Sequence, residues 1–258
     1  MCIQIGVWNM ILASHQPDFF PWMGYFYKIW QSHTFVFSDN VQYSKSARHN
    51  YNDILTANGP QRFTLPIHYH CVDINKMEIA ADEKTIEKML KTLKFAYGKA
   101  KHFDTVYPVM ENLLRRIPMA ESLADFNYMC IIEFCDRFGM FDDGVDREFY
   151  RSSWIELKNR KDARIIEMCN YFGATTYLSG AAAKDYHIEE DYRKNGIVLK
   201  YSDYEPVVYE QVGGRQVINM SVIDYVMNCG FVIPRGWKRY EESYIRDIHS
   251  ELQESENL

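Results

Sequence analysis

Residues Met10 to Asn40, MILASHQPDFFPWMGYFYKIWQSHTFVFSDN, determine the architecture of this 258-residue chain. They open with a short apolar run typical of a buried strand, followed by a turn rich in proline. The segment 22–32 then places apolar side chains at helical spacing, and TFVF has the pattern of a second buried strand. Such a unit favours two parallel strands joined by a right-handed crossover. We therefore predict an α/β fold with a mostly parallel sheet that starts with this strand-loop-helix-strand unit.

A helical middle region and a second α/β region follow along the chain. Apolar residues at helical spacing predict helices over 82–97, 105–117, 122–139 and 162–172, and strands are indicated in ATTYLSG and IVLKYSDY. Capping boxes are indicated at Ser122 with Asp125 and at Ser221 with Asp224. We predict three regions: an N-terminal α/β unit carrying the polar cluster (1–80), a helical region (81–150) and a C-terminal α/β region completing the site (151–258).

Composition and charge limit the classes of function. The chain is 47% apolar and 25% charged, which is ordinary for a globular protein, and its net charge of −6 argues against a broad nucleic-acid surface. No window approaches 18 apolar residues, and the opening residues lack the basic flank of a secretory signal, so we expect a cytoplasmic protein without membrane insertion. The six cysteines form no CxxC pair, so we predict neither a disulfide framework nor a zinc site.

Polar side chains follow the first two predicted strands. His15 and Gln16 come directly after one strand, and Asp39 follows the other. Carboxyl ends of parallel strands lie at one sheet edge, where ligands gather in open α/β sheets. A histidine beside a carboxylate can act as a general base, so we predict His15 and Asp39 as catalytic residues. The alternative is that His15 only fastens its loop.

Two other features are weaker candidates. The segment RFTLPIHYHCV (62–72) alternates like a strand, with Pro66 indicating an edge or a bend. His68 and His70 share one face of it and could offer two nitrogen ligands, but no third ligand is evident, and we predict no metal site. Ser179, in YLSGAAAK, resembles a strand-to-helix elbow without the GxSxG signature of hydrolases. It therefore either offers a hydroxyl and backbone amides to a ligand or caps a helix.

Six ordered motifs carry a resemblance across the chain from Met10 to about Gly230. They are HQPDFFPWMGYFYKI, FVFSDNVQYSK, HNYNDI, YLSGAAAKDY, VVYEQ and MSVIDYVMNCG, and together they resemble the WbqC-like protein family. The chain departs from the family pattern at Tyr51, where an arginine is usual, and at Asn40, where an acidic residue is common. Besides His15 and Asp39, the motifs and the adjoining Arg48 predict these substrate-binding residues: Gln16, Lys28, Gln42, Arg48, His49, Asn50, Asn52, Ser179, Gly180 and Tyr186.

The resemblance implies a bacterial cytoplasmic protein of O-antigen lipopolysaccharide and other surface-polysaccharide synthesis. The activity it implies is acyl or aminoacyl transfer to the amino group of a nucleotide-linked amino sugar. The donor would be a coenzyme A thioester, an acyl carrier protein thioester or a charged transfer RNA, and no cofactor is certain. Two alternatives remain at the level of sequence: a non-catalytic module that binds sugar nucleotides in an assembly complex, and a nucleotidyl-transferring enzyme.

Overall fold

The computed structural model describes residues 10–240. The strands are β1 (Ile11–His15), β2 (Thr34–Phe37), β3 (Tyr51–Thr56), β4 (Gly59–Thr64), β5 (Ile67–His68), β6 (Glu78–Ile79), β7 (Glu148–Arg151), β8 (Thr176–Ser179) and β9 (Val198–Tyr201). The α-helices are α1 (Met23–Gln31), α2 (Glu83–Tyr97), α3 (Phe103–Arg115), α4 (Leu123–Arg137), α5 (Lys161–Phe172), α6 (Glu189–Lys194) and α7 (Val222–Cys229).

Five parallel strands form the central sheet, in the order β7-β2-β1-β8-β9. β1 and β2 pair from Leu12 with Thr34 to His15 with Phe37, and α1 connects them. All four residues of β2 are buried, as expected for a strand covered on both faces. The predicted α/β fold with a parallel first unit and a helical middle region is therefore confirmed.

The order of the strands reverses beside β1. From β1 the chain adds β2 and β7 on one side, and later adds β8 and β9 on the other. In an open parallel sheet, the connections after the two strands at such a reversal leave toward opposite faces and open a crevice between them. This rule predicts a crevice between the loop after β1 and the loop after β8. We call it the switch crevice.

Two apolar layers cover the sheet, and alternate residues of β1 and β2 face them. Ala13 and Phe35 belong to the larger core, which includes side chains of α1, α2, α3, α4 and α7. Leu12 and Val36 belong to a smaller core with side chains of α5 and α6. This alternation follows from the two-residue period of a strand.

A β-hairpin follows, whose first strand lies in the polar segment 41–59 that gave no strand signal and whose second strand overlaps the start of the strand predicted over 62–72. β3 and β4 pair antiparallel, from Tyr51 with Thr64 to Thr56 with Gly59. The strand predicted over RFTLPIHYHCV is divided at Pro66, which has no N–H to donate to a ladder, and its second part is only the two-residue β5. β7 and α6 were also not predicted.

The helix caps agree with the sequence in one case and differ in the other. The Ser122 hydroxyl accepts from the Asp125 N–H at 3.1 Å, so the serine cap is confirmed. The reciprocal bond of the capping box is displaced by one residue, because the Asp125 carboxylate accepts from the Glu121 N–H and not from Ser122. Ser221 does cap α7, but the buried Asp224 carboxylate accepts from Tyr97, Tyr209 and Gln211 instead of the helix entrance. A reciprocal role for Asp224 in that cap is therefore wrong.

Residues 10–240 contain neither a membrane-spanning helix nor a metal-binding cluster. Within residues 10–240, no helix has the length and apolar character needed to cross a bilayer. The same residues hold no group of three or more His, Cys, Asp or Glu placed for a metal ion, and His68 and His70 are exposed. Residues 1–9, on which the expected localisation partly rests, lie outside the described residues.

Candidate functional site

The carboxyl edge of the sheet gathers most of the chemistry predicted from the sequence. His15 is the last residue of β1, Ser179 is the last residue of β8, and Asp39 follows the end of β2 by two positions. Because the strands are parallel, these three positions share one edge. His15 and Ser179 belong to the two strands that border the switch crevice.

The imidazole of His15 is held by its own loop. Its Nδ1 lies 3.1 Å from the Gln16 carbonyl oxygen and 3.8 Å from Oδ2 of Asp18, and the ring packs edge-on against Tyr25. Surrounding protein atoms and then the charge of Lys28 lower the pKa of His15 well below its ordinary value. The ring is therefore neutral at pH 7, and donation from Nδ1 to the carbonyl leaves the lone pair on Nε2. The side chain is 40% exposed, so a ligand can reach it.

Asp18 and Lys28 are buried ionisable groups beside this histidine. Burial raises the pKa of Asp18 to about 7, although the charges of Arg48 and Lys28 oppose that rise. Burial also lowers the pKa of Lys28 to about 7, and its ammonium donates to the Ser14 carbonyl at 2.7 Å. Oδ1 of Asp18 is buried with no hydrogen-bond partner among the described residues. Strongly shifted groups beside a crevice are typical of functional sites.

Hydrogen bonds fix the loop that follows β1. Gln16 Oε1 lies 2.6 Å from Nε2 of His49, and burial lowers the pKa of His49 to about 4, so this neutral ring donates from Nε2. The amide of Asn127, which the sequence did not single out, donates to the carbonyls of Pro17 and His49 at 2.8 and 2.7 Å. Three segments are thereby joined around His15.

Asn52 and Arg48 continue the same framework. Asn52 donates to the Phe20 carbonyl at 2.9 Å and accepts from Arg48. Arg48, which is half-exposed, also pairs with Asp53 at 2.5 Å. The buried amide of Asn52 therefore fastens the loop, and the guanidinium of Arg48 is the group of this pair that a ligand anion can reach.

Asn50 and Gln42 lie outside this group of contacts. The buried Asn50 donates to the Leu65 carbonyl and accepts from the Tyr43 hydroxyl, both at 2.9 Å. Gln42 is exposed, and its amide lies 2.8 Å from the sulfur of Cys71. Both side chains are engaged with the 41–72 segment, and neither contacts His15.

Asp39 is not the partner of His15, contrary to the expectation from sequence. Its buried carboxylate accepts from Arg151 Nε at 2.7 Å, from the Ser153 N–H and hydroxyl at 2.9 and 2.6 Å, and from the Ser152 hydroxyl at 3.2 Å. These donors lie at the end of β7 and just beyond it, a strand that the sequence did not reveal. The carboxylate nearest to His15 is Asp18, whose position three residues further along the chain was the available signal.

The residues predicted after β8 divide into two environments. Ser179 is buried, and its Oγ lies 2.8 Å from Nε2 of His187, whereas Tyr186 is 81% exposed. Gly180 follows Ser179 at the end of the strand, where an added Cβ would meet no heavy atom within 4 Å. His187 was missed because its partner Asp162 lies 25 residues away, without any local pattern joining them.

The fold and this edge define a doubly wound α/β protein with polar side chains gathered at the reversal of strand order. The chain belongs to the WbqC-like protein family, whose model matches residues 16–233. It is also 27% identical over 229 residues to the uncharacterized protein Rv1507c of Mycobacterium tuberculosis, covering 86% of this chain and 95% of that protein. No solved structure matches the chain.

Proposed function

We propose that this protein is an acyl- or aminoacyltransferase acting on the amino group of a nucleotide-linked amino sugar in bacterial surface-polysaccharide biosynthesis. The observation that carries the proposal is the neutral, half-exposed imidazole of His15 at the switch crevice. A neutral imidazole with a free lone pair can accept a proton that the reaction has made acidic. The substrate class rests on the family resemblance of the motifs around it.

The chemistry requires a base for the attacking nitrogen. As the amine of the sugar forms a bond to the acyl carbon, its N–H becomes strongly acidic, so a base with a low pKa suffices to remove that proton. Nε2 of His15 is the acceptor, and the ionised form of Asp18, whose Oδ2 lies 3.8 Å from Nδ1 and whose pKa is raised to about 7, stabilises the imidazolium that results. Asp18 thus takes the role that the sequence assigned to Asp39.

The neighbouring groups fit an acceptor substrate that carries phosphate. Lys28 contributes positive charge from a buried position, and the half-exposed Arg48 contributes a guanidinium that can bind an anion in a bidentate manner. Because Gln16, His49, Asn52 and Asn127 fix the loop, its groups need little reorganisation when a substrate binds. Such preorganisation supports transfer over simple storage of a ligand.

The test is acylation of an amino sugar by the purified full-length protein. A panel of uridine and thymidine diphosphate amino sugars is incubated with acetyl coenzyme A, an acyl carrier protein thioester or an aminoacyl transfer RNA, and the sugar is analysed by mass spectrometry. We expect His15→Gln to lower turnover about 100-fold or more, with the KM for the sugar nearly unchanged. The matched control is His68→Ala, which removes an exposed histidine far along the chain and leaves turnover unchanged.

Three results would contradict the proposal. Full turnover in His15→Gln would remove this histidine from the mechanism. Calorimetric binding of a nucleotide sugar by the wild-type protein, with no mass added to it by any donor, would instead identify a binding module. Release of pyrophosphate with magnesium would identify nucleotidyl transfer.

A further inference from the structure

Ser179, His187 and Asp162 form a linear hydrogen-bonded set beside the switch crevice. Ser179 Oγ lies 2.8 Å from Nε2 of His187, and Nδ1 of His187 lies 2.7 Å from Oδ1 of Asp162. Serine ends β8, aspartate is the second residue of α5, and histidine precedes α6. This nucleophile, base and orienting carboxylate have the mutual geometry of a serine catalytic triad, which is recognised by geometry and not by the order of its members.

The protonation pattern follows from these contacts. Because Nδ1 of His187 faces a carboxylate, it carries the proton and donates it, so Nε2 keeps its lone pair and accepts from the Ser179 hydroxyl. Burial alone would raise the pKa of Asp162, but hydrogen bonds from the Ile188 N–H and from His187 lower it. Asp162 therefore stays ionised at pH 7 and holds the histidine in the tautomer that activates serine.

The surroundings restrict water and fix the base. The side chains of His187 and Asp162 are only 7% and 16% exposed, and the Tyr192 hydroxyl donates to Asp162 at 3.2 Å. In such a setting charge-assisted hydrogen bonds are stronger than in water. The space beside Gly180 is open, which leaves room for a substrate carbonyl at the end of β8.

The geometry points to Ser179 as a nucleophile that accepts an acyl group from an ester or thioester donor before the group is transferred. Ser179 Oγ forms a bond to the acyl carbon while its proton moves to Nε2 of His187. The carbon–sulfur or carbon–oxygen bond of the donor then breaks, and the leaving thiolate or alkoxide takes the proton from His187. An acyl-serine ester remains, and an amine or water releases it by the reverse sequence.

This inference deepens the proposed function and rests on it only for the acceptor. His15 and Ser179 end neighbouring strands, and strand alternation places His15 on the face of the larger core and Ser179 on the face of the smaller core. The two groups would therefore serve the amine and the acyl group from opposite sides of the same sheet edge. The acylation half-reaction needs no sugar, so it can be measured alone. A purely structural role, in which the three side chains fasten residues 180–188 to α5, predicts no acylation.

The experiment treats the full-length protein with p-nitrophenyl acetate and, separately, with acetyl coenzyme A, and follows acetylation by intact mass and peptide mapping. We expect one acetyl group on Ser179, a rapid first release of p-nitrophenol, and a loss of at least 100-fold in that rate in Ser179→Ala and His187→Gln. The matched control is Ser32→Ala, which removes an equally buried, hydrogen-bonded serine hydroxyl at the opposite edge of the sheet. Circular dichroism and thermal unfolding confirm that each variant is folded.

The outcomes separate this inference from the proposed function. Acetylation only at lysines, or at an unchanged rate in folded Ser179→Ala, overturns the nucleophile. Transfer to an amino sugar at full rate in Ser179→Ala also overturns it while the proposed transferase stands. Acetylation of Ser179 in a protein that modifies no amino sugar supports the inference and contradicts the proposed acceptor.

Discussion

Replacement of Asp39 by alanine tests whether this carboxylate is structural, as its contacts indicate. The side chain is fully buried, and its oxygens accept from Arg151, from the backbone and hydroxyl of Ser153 and from the Ser152 hydroxyl. These bonds join the turn after β2 to the end of β7. Their loss leaves a guanidinium and several polar groups without their main acceptor.

The expected destabilisation can be derived from those contacts. Removing one partner of a buried ion pair costs about 3–5 kcal/mol in free energy of unfolding. Arg151 keeps a second partner in Asp125, at 3.3 Å, and its side chain is 15% exposed, so it is not left entirely unpaired. We therefore expect a loss of about 3 kcal/mol, near the lower end of that range.

Urea denaturation at pH 7 measures this loss, with Asp125→Ala as the matched control. Asp125 bonds the same guanidinium, but it is 36% exposed and its contact is longer, so its pairing with Arg151 contributes at most about 1 kcal/mol. The loss of its cap acts in addition and is measured separately in Ser122→Ala. A loss below about 1 kcal/mol in Asp39→Ala would refute the structural assignment, because that is the value of an exposed pair.

Two further predictions concern the loop after β1. Burial raises the pKa of Asp18 to about 7, so the protonated carboxyl group contributes stability that is fully present below pH 3.8 and is lost as the pH rises through 7. Asp18→Asn should remove that decline in stability, measured by urea denaturation between pH 4 and 7. The lowered pKa of Lys28 has the opposite effect, because it makes stability rise between pH 7 and 10.5, and Lys28→Met should remove that rise. A pH profile of stability that is unchanged in either variant would contradict the assignment. Asn127→Ala leaves the carbonyls of Pro17 and His49 without this donor, so it should lower the free energy of unfolding by about 2 kcal/mol and slow amino-sugar acylation. The control Asn195→Ala removes an exposed hydrogen bond from a side-chain amide to a carbonyl and should change neither quantity.

The sequence predicted the parts of the fold that depend on local pattern. β1, α1 and β2 each carry a periodicity that only one kind of element satisfies, and the short connections between them leave few topologies. β3 has no such signal, because its polar Asn52 is placed by a hydrogen bond to the Phe20 carbonyl in the loop after β1 and its Asp53 by an ion pair with Arg48. On sequence alone, β3 could not be distinguished from a polar loop, whereas β4 overlaps the strand predicted over 62–72.

The candidate site was predicted in position but not in its pairing. Parallel strands bring His15, Asp39 and Ser179 to one edge, and that inference needs only the strand order. The choice of partner depends on distances that no local pattern encodes: Asp39 pairs with a residue 112 positions away, and His187 with one 25 positions away. Pairings of this kind arise when the chain is packed, so they are visible only in three dimensions.

The side chains of β1 alternate between the two faces of the sheet, so the molecule has two apolar cores that can change separately. Leu12 and Ala13 are adjacent in the chain, yet they contribute to different cores, so repacking beneath α5 and α6 reaches the other side mainly through the backbone of the sheet. Exchange of residues 155–201 between relatives would replace most of one core and retain the layer built on α1. Substitutions in one core can therefore alter one side of the sheet while the opposite side keeps its packing.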